Sequence, residues 1–321
     1  GRAAREHLDL VLSRRRREGY AIEERELEDA DEEILAHADV QPDPLAGCVA
    51  WDAEQRRLKI TFKGQAVPAG RCEAVVERAV QQQPVSLQVI CDLASPGAAL
   101  SAALAQVPLA SVHHFIFDTY FQTVTRQRSN SPGDLGELFT ALPNLERAFL
   151  TGALVLTPVT VPQLRELYLL GDPLSPATLA ALGACQFPAL ETLGIALCSD
   201  GGPAEELEAA LALRRMAAPN LRSIDIHGVS DLVGFLDALT QSPLPPTWSS
   251  LRMDGRVHDE DALLALLGER ARAMASLSHL GLPLGDELSL DGEARAKECI
   301  DVLADREELR DLVTPGAYDA W

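Results

Sequence analysis

Three short stretches carry residue types that could do chemistry. GQAVPAGRC (64–72) places two glycines ahead of a cationic side chain, as in loops that cradle phosphate with backbone amides. The interval from Gly64 to Gly70 is one residue too long for such a loop, and Arg71 stands where a lysine would reach the terminal phosphates. The segment therefore reads as a strand-to-helix turn. His113-His114 suggests metal ligation, but neighbouring residues on a strand point to opposite faces and cannot chelate together. Cys198-Ser199-Asp200 sets a thiol near a carboxylate. No HExxH, GxSxG, GxGxxG or Cys/His cluster occurs. The 48 acidic residues supply accidental pairs in abundance, and most belong to helix surfaces. The expectation is no catalytic residue, no cofactor and no metal.

Composition narrows the class further. The 321 residues allow about two domains or one extended array. Hydrophobic residues make up 47% and aromatic residues 5%, so a core must be built from Leu, Ala and Val. The net charge of −20 opposes the counterion release that drives nucleic-acid binding, and it opposes an anionic membrane surface. No apolar run reaches the length of a membrane span, and GRAAREHLDL lacks a signal-peptide core. Six cysteines at 48, 72, 91, 185, 198 and 299 show no CxxC and no framework. That usage suits reduced thiols and a cytoplasmic location.

What must position any site is a repeat. PNLERAFLTG from Pro143, PQLRELYLLG from Pro162, PALETLGIAL from Pro188 and PNLRSIDIHG from Pro219 share one pattern, and PTWSSLRMDG from Pro246 is a degraded copy. Their paired apolar positions are Ala148/Leu150, Leu167/Leu169, Leu193/Ile195, Ile224/Ile226 and Leu251/Met253. The alternation extends to Leu58/Ile60, Leu87/Val89 and Phe115/Phe117 upstream and to Leu280/Leu282 downstream. From Leu58 to Leu280 the steps are about 29, 28, 33, 19, 26, 31, 27 and 29 residues. Between most strands lies a stretch of helical period: 71–80, 98–107, 177–185, 205–216, 231–240 and 261–274. A unit of one strand and one helix cannot bury its own apolar face, whereas stacked neighbours bury both.

The chain here resembles the leucine-rich-repeat family, whose signature is LxxLxLxxN/C. Leu190, Leu193, Ile195 and Cys198 fall in that register. With one short step among long ones, it looks like the irregular bacterial cytoplasmic members. The resemblance implies an α/β solenoid, with a curved parallel sheet on the concave side and helices on the convex side. It also implies binding rather than catalysis. The family's Asn/Cys slot holds Ala153, Asp172, Cys198, Val229 and Arg256, so an asparagine ladder is absent. Gly152, Gly171, Gly228 and Gly255 precede most of these slots and could turn the chain at positive φ. A Cys-x-Asp motif is catalytic in bacterial ubiquitin ligases that carry such repeats, but there the cysteine lies in a separate helical domain. Cys198 sits in the ladder slot, where a buried thiol is structural.

The expected organisation is a helical segment and cap at 1–57, about nine irregular repeats at 58–290, and a capping helix with tail at 291–321. Residues 3–38 read as helices broken near Gly19-Tyr20, with Arg14–Arg17 neutralised by the acidic turns that follow. Residues 39–47 read as a linker, and 48–52 and 57–64 as a hairpin. Residues between the apolar pairs face away from the core and line up in columns. In the central column Phe149 and Tyr168 are neighbours, with Leu170 alongside and Arg147 and Arg252 flanking; Asp225 and His227 lie further along. Aromatics beside arginines suit a contact centre, or the rings pack on one another or beneath a loop. The segment 119–136, with Tyr120 and Phe121, is the longest polar interruption and a second candidate contact.

The functional expectation is a non-enzymatic scaffold that binds a protein partner through this face and that loop. An adaptor or inhibitor of a partner enzyme, for example a nucleotide-dependent one, is the alternative. An enzyme with its chemistry hidden in 1–57 is a third. The −20 charge admits a basic partner, whose binding would weaken with salt.

Overall fold

The computed structural model describes residues 48–62, 69–91, 97–119, 131–170, 174–197, 203–282 and 313–315. Everything below concerns the unit 47–321. Strands β1 (Val49–Asp52) and β2 (Arg57–Phe62) form the expected antiparallel hairpin. There follow α1 (Ala69–Gln82), β3 (Ser86–Cys91), α2 (Gly97–Ala105), β4 (His114–Thr119), α3 (Leu135–Ala141) and β5 (Arg147–Leu150). Next come β6 (Glu166–Leu169), α4 (Pro176–Ala184), β7 (Thr192–Ala196), α5 (Pro203–Arg215), β8 (Ser223–Val229) and α6 (Leu232–Thr240). The order closes with β9 (Ser250–Gly255), α7 (Glu260–Arg270), a short 3-10 turn (Ala271–Met274), β10 (His279–Leu282) and β11 (Val313–Pro315).

The eleven strands form one open sheet in strict sequence order, parallel from β2 onward and not closed into a barrel. Its register follows the apolar pairs. Leu58, Leu87, Phe115, Ala148, Leu167, Leu193, Ile224, Leu251 and Leu280 are consecutive cross-strand partners. Most of them are fully buried, and so is the second row from Ile60 to Ile226. Burying each such side chain stabilises by roughly 1.5–3 kcal/mol. Shifting one strand by a single residue would turn both of its pair members out to solvent, so the pairs fix the register.

The buried face is covered by the helices, which contribute Val75, Leu104, Leu179, Leu182, Leu236, Leu239 and Leu263 to the same core. Helices α1 to α3 pack in succession, and so do α4 to α7. Right-handed crossovers between parallel strands place successive helices on one side of a sheet. The break falls at the short step. Between β5 and β6 the chain runs extended through 151–165 with no helix, joined to its neighbours by the bridges Asp134↔Val155 and Thr160↔Gln186.

The side-chain ladder missing from the sequence has a backbone counterpart. The carbonyl just before a strand accepts two amides from the next repeat. Arg56 O takes the amides of Val85 and Ser86, and Val85 O those of His113 and His114. The same relation recurs at His113, Glu146, Arg165, Glu191, Arg222 and Ser249. Asparagine also bridges repeats, but ahead of the strand rather than at the family slot beyond it: Asn144 Nδ2 donates to Ala110 O at 2.7 Å and Asn220 Nδ2 to Pro188 O at 2.8 Å.

Three expectations are corrected. Gly152 and Gly228 have positive φ, 105° and 74°, but Gly255 lies in strand conformation. Gly255 is needed for a different reason: a Cβ there would sit 2.3 Å from Val229 O. The polar interruption 119–136 ends in a helix not foreseen, α3, capped by Asp134. Val313, read as the end of a capping helix, begins an eleventh strand instead. The rest of that helix, Gly171, and the segments 1–47 and 64–68 lie outside the described residues.

Candidate functional site

The face away from the helices carries the alternate residues of each strand. The predicted central column is present residue for residue: Ile116, Phe149, Tyr168, Gly194, Asp225, Arg252 and Gly281 are successive cross-strand partners. The second column, His114, Arg147, Glu166, Thr192, Ser223, Ser250 and His279, is in register too. Alternation therefore brings together Phe149, Tyr168, Arg147, Arg252 and Asp225. A third outward set is Asp118, Thr151, Leu170, Ala196, His227 and Asp254: Leu170 falls just after the end of β6, and His227 lies within β8 opposite Ala196. Tyr120 and Phe121 lie outside the described residues, as do Cys198, Ser199, Asp200 and Arg14–Arg17.

Phe149 and Tyr168 pack on one another, with ring centroids 6.0 Å apart and planes inclined at 40°. Both stay partly exposed. The Tyr168 ring leans over its other neighbour, where a Cβ on Gly194 would meet Cδ1 at 2.4 Å. Gly194 is thus buried, while the other outward positions of its strand, Thr192 and Ala196, stay partly exposed. Arg252 covers Gly281 in the same way, its Cγ 2.9 Å from the Cβ position. Burial raises the Tyr168 phenol above its ordinary value, and the nearby Asp225 and Glu166 charges push in the same direction.

Ion pairs cross the strands around the rings. Arg147 Nε lies 3.2 Å from Glu166 Oε1, and Arg252 Nε lies 3.4 Å from Asp225 Oδ1. In the third column Asp254 binds twice: Oδ2 lies 2.7 Å from His227 Nδ1, and Oδ1 accepts the Gly228 amide at 2.6 Å. These contacts sit where the β8–β9 register shifts after Ile226, so the carboxylate stabilises an irregular strand end. Asp254 raises the His227 pKa through that hydrogen bond, against the opposing effect of burial. Burial would raise the Asp254 pKa, but the bonds from His227 and Gly228 prevail and lower it. Burial and the Arg147 charge lower the pKa of His114. His113 Nδ1 pairs with Glu146 Oε1 at 2.9 Å, which holds Glu146 below the ordinary carboxylate range.

The sequence-level site did not include Ile90, Glu166 or Asp254. Ile90 is partly exposed on β3 beside the Asp118 position, and the period-two rule that found Ile116 could have found it. The bond from Asp254 to Gly228 depends on the bulge, which no sequence pattern announces. Among the described residues no group of three or more His, Cys, Asp or Glu side chains could hold a metal ion. Cys72 and Cys185 are buried thiols, and burial raises the pKa of both. None of the described helices is long and apolar enough to cross a membrane.

No protein-family model matches the chain, and no curated protein matches it. Among solved structures the fold is similar to a structural-genomics protein from Bacteroides fragilis. That likeness has a TM-score of 0.54 and 16% sequence identity, over 75% of this chain and 72% of the other. At that identity it supports the α/β, repeat-like architecture alone.

Proposed function

We propose that this chain is a leucine-rich-repeat solenoid acting as a non-enzymatic scaffold, and that it binds a protein partner through the sheet face opposite the described helices, taken as concave. The observation that carries this reading is the Phe149–Tyr168 pair, held partly exposed at the middle of the parallel sheet. Solvated strand faces rarely need adjacent rings, and contact energy in protein interfaces concentrates on Tyr, Phe, Trp and Arg. The cross-strand register supports the reading further, because it fixes the spacing of the rings and their flanking charges before any partner arrives.

The test is the Phe149→Ala/Tyr168→Ala double variant, used beside the parent chain to recover partners from native lysate. The reading expects loss of a specific partner, with a weakening of at least about tenfold. Recovery of the same partners in the same amounts would place binding elsewhere.

A further inference from the structure

We propose that the occupant of this face is an amphipathic helix of the partner, laid across strands β3–β7 with an uncharged apolar stripe against the rings. The inference rests on the binding role proposed above and specifies its chemistry.

Two observations point to it. The first is charge. The ionised side chains around the rings are already engaged with one another: Arg147 with Glu166, and Arg252 with Asp225. Asp254 is held by His227 and Gly228, and Asp118 accepts from Thr151 Oγ1 at 3.3 Å. A charged partner would have to break these pairs to make new ones. What the face offers in surplus is apolar surface: Ile90, Ile116, Phe149, Tyr168, Leu170 and Ala196, all partly exposed. Two arginines offset two of the four carboxylates named here, so the patch is far less acidic than the −20 of the whole chain.

The second is spacing. Ile116, Phe149 and Tyr168 stand on successive strands, one strand separation of about 4.7–4.9 Å apart. A helix crossing the strands advances about 5.4 Å per turn, so side chains at i, i+3/i+4 and i+7 meet consecutive strands with little drift. An extended segment repeats the same face only every 6.6 Å or so and falls out of step at once.

The probe is a displayed library of random peptides of about 16 residues, each long enough as a helix (about 24 Å) to cross five strands. It is selected on the full chain and counter-selected on Phe149→Ala/Tyr168→Ala. The inference expects enriched peptides with apolar residues at i, i+3/i+4 and i+7 and no charge on that stripe. Their affinity should change less than about twofold from low to high salt. They should bind Tyr168→Phe as they bind the parent, since the ring rather than the hydroxyl makes the contact, and lose about tenfold or more on the double Ala variant. Enrichment of basic, salt-sensitive peptides that still need the rings would overturn the helix inference and leave the binding role standing. Loss of binding to Tyr168→Phe would overturn it as well. No peptide dependent on the rings would remove both.

Discussion

Asp254 shows how one side chain can serve both a strand irregularity and a titrating partner. Its two oxygens hold the His227 ring and the Gly228 amide where β8 departs from register with β9. The linkage has a definite sign. His227 is raised above its ordinary value near 6.5, so its contribution is complete below about pH 6.5 and is lost as pH rises through the folded value. Asp254 is lowered below 3.8, so its contribution is complete above that value and is lost as pH falls through the folded one. Denaturant titrations of the parent and His227→Gln should differ most in the mildly acidic range and converge as pH rises past neutrality. A gap that widens with alkalinity would contradict the assignment. Gly194 is a second residue whose role is set by its neighbour, because the Tyr168 ring fills its place. Tyr168 and Gly194 were legible as column neighbours from the period of two. The lean of the ring was not, because a rotamer depends on what packs beside it.

At the scale of elements, Asp134 fastens the helix-less short repeat to the start of α3. Asp134 Oδ1 accepts the Gly136 amide at 2.9 Å, capping α3, and also the Thr157 amide at 3.0 Å and Thr157 Oγ1 at 3.1 Å. Gly136 leaves room for this, since a Cβ there would lie 2.7 Å from Thr157 O. Asp134→Ala should cost about 0.5–2 kcal/mol as a cap, toward the upper end because the extended segment 151–165 is released as well. Thermal melts would measure this, and an unchanged midpoint would show that the extended segment holds without it. Two other side chains tie one repeat to the next. Buried Glu206 accepts the Ser230 and Asp231 amides ahead of α6, and Arg214 donates to Leu239 O and Ser242 O at its end. Six of the seven helices among the described residues were legible from spacing three and four. Helix α3 was not, because its seven residues are too few to establish a period.

Across the whole sheet, each repeat leans on the two beside it through paired strands and through carbonyls that each take two amides. Stability in such an array is a sum of repeat terms and neighbour terms, so central repeats gain from both sides and terminal ones from one. Amide hydrogen exchange should therefore show protection greatest in β5–β8 and falling toward β2 and β10. Exchange that begins in the central strands would refute nearest-neighbour stacking. Placing Ala at Leu193, midway in the buried column, should destabilise by about 2–5 kcal/mol, read from the denaturant midpoint.

The sequence by itself determined most of the strand-and-helix alternation, the register of the apolar pairs and the first two outward columns, because a buried apolar pair admits one pleat and one register. It also carried the hairpin at the N-terminal edge of the sheet, through two alternating runs joined by AEQR. Only the tertiary structure decided how the columns are filled: which ring leans over which glycine, which arginine answers which carboxylate, and where β8 slips against β9. Those contacts join residues from about 19 to 27 positions apart, brought within a few ångströms only after the repeats stack. Periodicity is a property of one strand or helix and survives in the sequence. Side-chain pairing across strands exists only once the neighbours are in place.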